Sequence, residues 1–492
     1  MILRIALTLV LAAGAWVLYF FGLSQTGLLG PDEPRYADIG RAMWTTGDWI
    51  TPRLFGSAWF EKPALLYWLG GLGFATGADD SLAPRLFIPI LGLAFLAFFY
   101  TRLRHEFDAQ MAGASTLILA TAAGWVGFSH AAVTDLPLTV FFGAGMLLSL
   151  PWALRGERNL LPWAAACFAV ASLAKGLVPL VLAAPLLWFG RKRILDWLHP
   201  KTVAAFVAVG GPWYFLCYLA NGQTFIDEFF WKHHVGRFFS EELQHVQPVW
   251  FYAPVLLGLL LPWAPLGVIA AANALRKDGG LRGDSRWHYF AAWLGFGFVF
   301  FSASTNKLPG YLLPLLPAAA ALLGLALRRA PRCAWTLAIV TALSGVFALA
   351  GGVLPEALAQ GLRRSSMDTI PWSMAVPSLI AAALVYWAER SGQRTRALTF
   401  VGLVIVANIG VLKWHAIPQV RENASAIAQW KRLEPSRDAI CIDRVHRALE
   451  YGLLYYSHGT ISLCADEPRS FRLVEGPDRT ARLEAEAGED LP

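Results

Sequence analysis

Residues 5–23 read IALTLVLAAGAWVLYFFGL, and GPDEPRY follows at 30–36. The first stretch carries no charge and is about as long as a bilayer core requires of a helix, roughly 20 residues. The second sets two carboxylates and an arginine where the chain leaves that helix. Arg4 precedes the apolar run, and no small-residue cleavage site comes before Asp32, so an uncleaved first helix is expected. Similar runs recur near 83–101, 111–128, 136–154, 160–175, 177–190, 203–220, 251–274, 287–303, 311–327, 333–354, 372–388 and 397–412. That makes thirteen spans, the fifth and sixth short. Composition agrees: 56% of the 492 residues are hydrophobic and 15% charged, against about a quarter charged in soluble chains. The 21 tryptophans and 31 phenylalanines suit a protein with two membrane interfaces to anchor.

The net charge of +7 does not indicate nucleic acid, because the basic residues sit in short clusters between apolar runs. Arg102, Arg104, Arg155, Arg158, Arg191–Arg193, Arg276–Arg286, Arg328–Arg332 and Arg390–Arg396 fall on one side, the cytoplasmic side by the positive-inside rule. An odd number of spans then puts the long loops 24–82 and 221–250, and the tail, outside. The expected fold is an all-α polytopic domain over 1–412 with a small α/β domain over 413–492. In that tail, runs 438–443 and 460–464 look like strands around a helix, and the acidic last twenty residues look disordered. Cys441 and Cys464 fit either a disulfide or two buried thiols. No CxxC-type metal spacing occurs.

The outer segments hold the groups that could do chemistry. Asp32, Glu33, Arg35 and Tyr36 open an amphipathic stretch in which Arg35, Ile39 and Met43 share a face; solvated charge at a helix end is the plainer alternative. Glu61-Lys62 lies inside an aromatic run, where an ion pair is costly to bury. Lys62 could hold a lipid phosphate or merely snorkel. Asp135 heads the fourth apolar run, as a functional carboxylate or a helix cap. Lys232, His233, His234 and Arg237 suit an anionic ligand, and Glu61 with His234 could share a divalent metal, although two ligands are few. Lys175, Lys307 and Tyr311 complete the outer set. No Gly-rich phosphate loop or dinucleotide fingerprint is present.

These segments resemble the GT-C membrane glycosyltransferases that include the protein O-mannosyltransferases, and most of all the lipid A aminoarabinose transferase branch. The matching pieces are Asp32–Tyr36, Glu61-Lys62-Pro63, Thr134–Pro137, His234–Phe238 and Lys307–Pro314, in the family's order over roughly residues 1–415. The resemblance implies a bacterial inner-membrane enzyme with a periplasm-facing site. It would take a sugar from polyprenyl phosphate and pass it, with inversion, to lipid A or another envelope glycolipid. It implies Asp32 as the carboxylate nearest the reacting centre, with Glu33 beside it and Asp135 in support. Lys62, Arg237 and Tyr311 would hold the carrier phosphate, with Lys175 and Lys307 as further cations. Arg35, Tyr36, Glu61 and His234 would be supports. Phosphate is already a leaving group, so such chemistry needs cations on the departing phosphate and a carboxylate for the acceptor proton. The rivals are a transporter or lipid flippase, which mid-span charges would favour, an oligosaccharide ligase, a protein O-glycosyltransferase and an inactive membrane subunit.

Overall fold

A computed structural model of the chain describes residues 2–236, 246–275, 283–361, 365–366, 370–476 and 481–485. Every apolar run read as a span contains helix, some of them interrupted by turns, within the described residues. After α1 (Ile2–Tyr19), the first outer loop folds into α2 (Asp32–Thr46), a short hairpin of β1 (Arg53–Leu54) and β2 (Ser57–Ala58), and α3 (Leu65–Ala75). Then come α4 (Phe87–Glu106), α5 (Ala109–Thr121), α6 (Ala123–Phe128), α7 (Asp135–Arg155) and α8 (Leu161–Lys175). The sixth run divides into α9 (Val178–Leu182) and α10 (Pro185–Phe189), because Pro185 cannot continue a helix begun before it. Next is α11 (Pro200–Ile226), and beyond the second outer loop lie α12 (Tyr252–Leu259), α13 (Leu266–Leu275), α14 (Ser285–Ala303) and α15 (Leu316–Arg329). The bundle ends with α16 (Ala334–Ala350), α17 (Leu354–Gln360), α18 (Val376–Arg390) and α19 (Arg394–Asn423).

Six helical segments among the described residues are long and apolar enough to cross a membrane: Phe87–Glu106, Asp135–Arg155, Pro200–Lys232, Pro309–Arg329, Trp372–Arg390 and Arg394–Asn423. The chain is therefore polytopic, and several of the other expected spans are built from shorter pieces. Within 111–128 the helix breaks at the extended Ala122, and the freed N–H of Ala123 bonds Leu261 O at 2.8 Å. Irregular backbone inside a bundle survives only when satisfied in this way. Leu216, Leu219 and Trp188 remain bare on the outside of the bundle, a surface that lipid covers without penalty. Inside, Asn408 on α19 donates to Ser344 on α16 and Ser378 on α18, both at 2.9 Å, tying three helices together. Lys413 caps α1 through the carbonyls of Val17, Leu18 and Phe21 at 2.7–3.1 Å, groups a helix end otherwise leaves unpaired.

Helix α19 continues past 412 to Asn423 before the terminal domain begins. That domain contains α20 (Ala426–Leu433), α21 (Arg447–Tyr456) and a sheet in the order β3 (Ile440–Ile442), β4 (Phe471–Glu475), β5 (Ala481–Ala485). The run 460–464 supplies only one bridge, Ile442 to Leu463. The second full strand is instead Phe471–Glu475, parallel to β3. The acidic tail is also partly ordered, for Ala481–Ala485 pairs antiparallel with β4 and sets Glu484 opposite Arg472. Cross-strand opposite charges favour this register, which composition alone concealed. Residues 486–492 lie outside the described residues. Cys441 and Cys464 form a disulfide. The terminal core includes Leu28 and Ala37, so this domain packs directly on the first outer loop.

Candidate functional site

Helix α2 starts with Asp32 and Glu33 in its first turn, where carboxylates favour the positive end of the helix dipole. It stops at Gly47, whose φ of 74° allows a left-handed cap. It crosses α3 closely: a Cβ on Gly40 would lie 3.1 Å from the backbone of Tyr67 and Gly71. The expected apolar face holds, with Ile39 and Met43 fully buried. This crossing brings Asp32–Tyr36 against Glu61-Lys62.

Arg35 is the centre of the first cluster. It pairs with Asp32 on its own helix and with Glu61 at 3.3 Å, and Glu61 in turn accepts from Lys62 at 3.0 Å. Burial works against the Arg35 charge, but Glu61 and Asp32 outweigh it and leave the guanidinium pKa above its ordinary value. Burial first, then Asp32 and Glu61, push the Tyr36 hydroxyl well above its usual range, so Tyr36 stays protonated. Arg35, Glu61 and Lys62 have side chains 7–14% exposed, whereas the Asp32 side chain is 43% exposed.

Glu33, expected beside Asp32 as a reacting carboxylate, is placed otherwise. Its side chain is 4% exposed. Arg85 grips it through Nε at 2.8 Å and Nη2 at 2.5 Å, while the N–H groups of Leu29 and Ala132 add bonds of 2.8 and 2.7 Å. A carboxylate has about four lone-pair sites, and these four donors fill them. Glu33 is a brace joining the first outer loop, the head of α4 and the loop before α7. Arg85 also donates to Leu23 O and Thr26 Oγ1, both at 3.0 Å.

The second cluster joins α7, α8 and the turn before α15. Antiparallel packing of α7 on α8 brings Asp135, at the start of one, to Lys175, at the end of the other; they pair at 2.8 Å. The Lys175 amine lies 4.4 Å from the centre of the Tyr311 ring, a cation–π distance. Gly310 makes this possible, since a Cβ there would come within 2.9 Å of the Asp135 carboxyl carbon. Asp32 is near enough for its charge to bear on Lys175. Lys307 does not join them. It is 3% exposed, and its amine donates to the carbonyls of Gln247 and Ser304, fixing the loop rather than facing a phosphate.

His234 belongs to a wide helical turn, Asp227–Gly236, but its side chain lies outside the described residues, as does the whole of Arg237. The expected Glu61–His234 metal pair therefore rests on Glu61, which already meets Arg35 and Lys62. Among the described residues, no three His, Cys, Asp or Glu side chains gather to hold a metal ion.

Two contributors escaped the sequence reading. Arg85 stood inside the span drawn from 83, a charge in an apolar run on the side poor in arginine, and that was a usable signal. Tyr451 had none: it arrives from α21, with its ring 5.2 Å from the Arg35 guanidinium and stacked on Phe55 at 6.2 Å. The terminal domain thus forms part of the wall around Asp32.

Residues 4–220 match the family described as dolichyl-phosphate-mannose-protein mannosyltransferase. Over 340 residues the chain is 33% identical to an undecaprenyl phosphate-alpha-4-amino-4-deoxy-L-arabinose arabinosyl transferase of Pseudomonas fluorescens, covering 66% of this chain and 56% of the relative. A Pseudomonas aeruginosa protein of the same name is 35% identical over 321 residues, covering 63% and 57%. The match thus spans little more than half the length of these curated relatives. The crystal structure of ArnT from Cupriavidus metallidurans bound to undecaprenyl phosphate superposes with a TM-score of 0.72 at 23% identity, covering 96% of this chain and 93% of that one. The chain accordingly has the fold of that ArnT structure, and in sequence it is similar to the undecaprenyl phosphate-aminoarabinose arabinosyl transferases.

Proposed function

We propose that this protein transfers a sugar from undecaprenyl phosphate to an envelope glycolipid, lipid A being the favoured acceptor, at the periplasmic face of a bacterial inner membrane. The observation that carries the reading is the exposed Asp32 carboxylate, held by a buried arginine, with the Lys175–Asp135 pair near enough to feel its charge. In this reading the acceptor oxygen attacks the anomeric carbon from the side opposite the carrier phosphate. The bond from that carbon to the phosphate oxygen breaks, the acceptor proton passes to Asp32, and the configuration inverts. Lys62, Lys175 and Arg237 meet the charge developing on the phosphate, with Tyr311 beside them. Asp135 holds Lys175 in place, while Arg35 and Glu61 position Asp32 and Lys62. The engagement of Glu61 by two cations supports an ion-pair brace there in preference to a metal ligand. The names of the similar transferases and the carrier bound in the ArnT crystal support the choice of donor.

The test is direct. Purified protein in lipid nanodiscs receives an undecaprenyl-phosphate sugar together with lipid A, and products are read by mass spectrometry. A glycosylated lipid A and free undecaprenyl phosphate are expected. Sugar found on protein instead would indicate a protein O-glycosyltransferase. An untouched donor with every acceptor would remove the transferase reading.

A further inference from the structure

A cavity of about 650 Å³ opens between the terminal domain and the first outer loop, away from the Arg35 and Lys175 clusters. That volume lies within the range of small-molecule and headgroup sites. Its floor is polar and buried: Tyr456 accepts from Leu28 N–H at 2.8 Å and shares a hydrogen bond with Ser81 at 3.1 Å. Trp430 adds an aromatic surface, 9% exposed. Around the rim stand Arg421, Lys431 and Arg437.

The lining sets Arg421, Lys431 and Arg437 beside Asp79, Asp80 and Glu434, and among the described residues no ion pair joins Glu434 to a cation of the lining. Asp80 is paired with His458 at 2.9 Å and approached by Arg41 at 3.7 Å. One oxygen of Asp79 takes the N–H groups of Ser81 and Leu82, both at 2.9 Å. Among the described residues, no carboxylate forms an ion pair with Arg421 or Lys431. Two cations with no carboxylate partner, above a hydroxyl-rich floor with an aromatic wall, suit a phosphorylated saccharide. Hydroxyls meet hydroxyls, the indole meets a sugar face, and the cations meet phosphate oxygens.

Location says how such a ligand arrives. Ser24 and Gln25 lie in the turn that follows α1, and Arg421 lies in the last turn of α19. The cavity therefore borders the level where two membrane helices end, within reach of a headgroup whose acyl chains stay in lipid. It also backs onto the reacting end. Leu28 bonds Tyr456 on the cavity side, and the next residue, Leu29, bonds Glu33 on the other at 2.8 Å.

We infer that this interdomain cavity is a binding site for the phosphorylated saccharide headgroup of the acceptor glycolipid, separate from the site of the carrier phosphate. The inference rests on the proposed function for the word acceptor, and on the cavity alone for the ligand's chemistry.

The test uses the full chain in nanodiscs of neutral phospholipid, without donor, titrated with lipid A. Arg421→Gln/Lys431→Gln should weaken binding at least tenfold, the effect of about one charge-assisted hydrogen bond. Glu434→Gln, which removes a negative charge from the same lining, should tighten it, a change that misfolding would not mimic. Unchanged binding in the double variant, or no lipid A binding by the wild type, overturns the inference. Full displacement by millimolar inorganic phosphate overturns it too, by showing a free-phosphate site. Wild-type binding with this charge dependence but without sugar transfer would keep the cavity and remove the transferase reading.

Discussion

The two charged ends of the helical bundle are built in opposite ways. At the arginine-rich end three carboxylates are buried beneath more exposed cations. Glu106, Asp284 and Glu389 have side chains 2–6% exposed, whereas their partners Arg155, Arg329 and Arg394 are 23–40% exposed. At the other end Arg35, Lys62 and Lys175 are at most 14% exposed, and Asp32 projects. Both ends join helices through ion pairs, but only the second leaves an anion available beside sequestered cations. A buried carboxylate saturated by arginine does structural work, and a half-exposed carboxylate aligned by a buried arginine can take a proton. Glu33 sharpens the point: it sits next to Asp32, yet it follows the pattern of the opposite end.

Four measurements can break or sharpen this contrast. Asp32→Asn should lower transfer about 10²–10⁴-fold, the usual range for losing a general base, with protein abundance unchanged; wild-type turnover would remove Asp32 from the chemistry. Glu33→Gln should cost about 3 kcal/mol of stability, because it leaves the buried Arg85 without its counter-charge, and Glu389→Gln should cost less, because its partner Arg394 is 23% exposed and water can solvate it. Thermal unfolding in detergent reads this, and turnover per folded molecule should survive in Glu389→Gln. If Glu33→Gln kept full stability but lost activity, the brace assignment would be wrong.

Lys62→Ala should raise the carrier lipid's KM about tenfold, as expected for one lost phosphate contact. An unchanged value would return Lys62 to snorkelling.

The smallest effect concerns pH. Burial, then the charge of Lys413, depress the His130 pKa from 6.5 to about 3. Between those values the unfolded chain binds a proton that the folded one does not, so stability falls as pH falls from 6.5. The slope contributed is at most about 1.4 kcal/mol per pH unit. His130→Gln should flatten it, measured as Tm at pH 7 and pH 5.

Much of the fold was legible because its signals are local. Each run of apolar residues declares a helix wherever it sits, and the arginine clusters declare which ends lie together. The runs 32–36, 61–63, 134–137 and 307–314 could be picked out as charged motifs for the same reason. The breaks at Ala122 and Pro185 were less legible, since a broken helix and a straight one can share the same hydropathy. The strand Ala481–Ala485 was hidden because its acidic composition outweighed a pairing that only Arg472 and Leu473 on a neighbouring strand make favourable.

By itself, the sequence determined a polytopic helical chain with its ionisable residues gathered at helix ends, and it nominated Asp32, Glu61, Lys62, Asp135, Lys175 and Tyr311. Only tertiary structure decided which of the nominated charges are available and which are spent. Glu33 and Lys307 look as reactive as their neighbours in one dimension, yet both are used up by partners far along the chain: Arg85 and Ala132 for one, Gln247 for the other. The reason is that an ionisable group's role depends on how many of its hydrogen-bonding positions are already filled. That number is set by long-range packing, and no local pattern of residues encodes it.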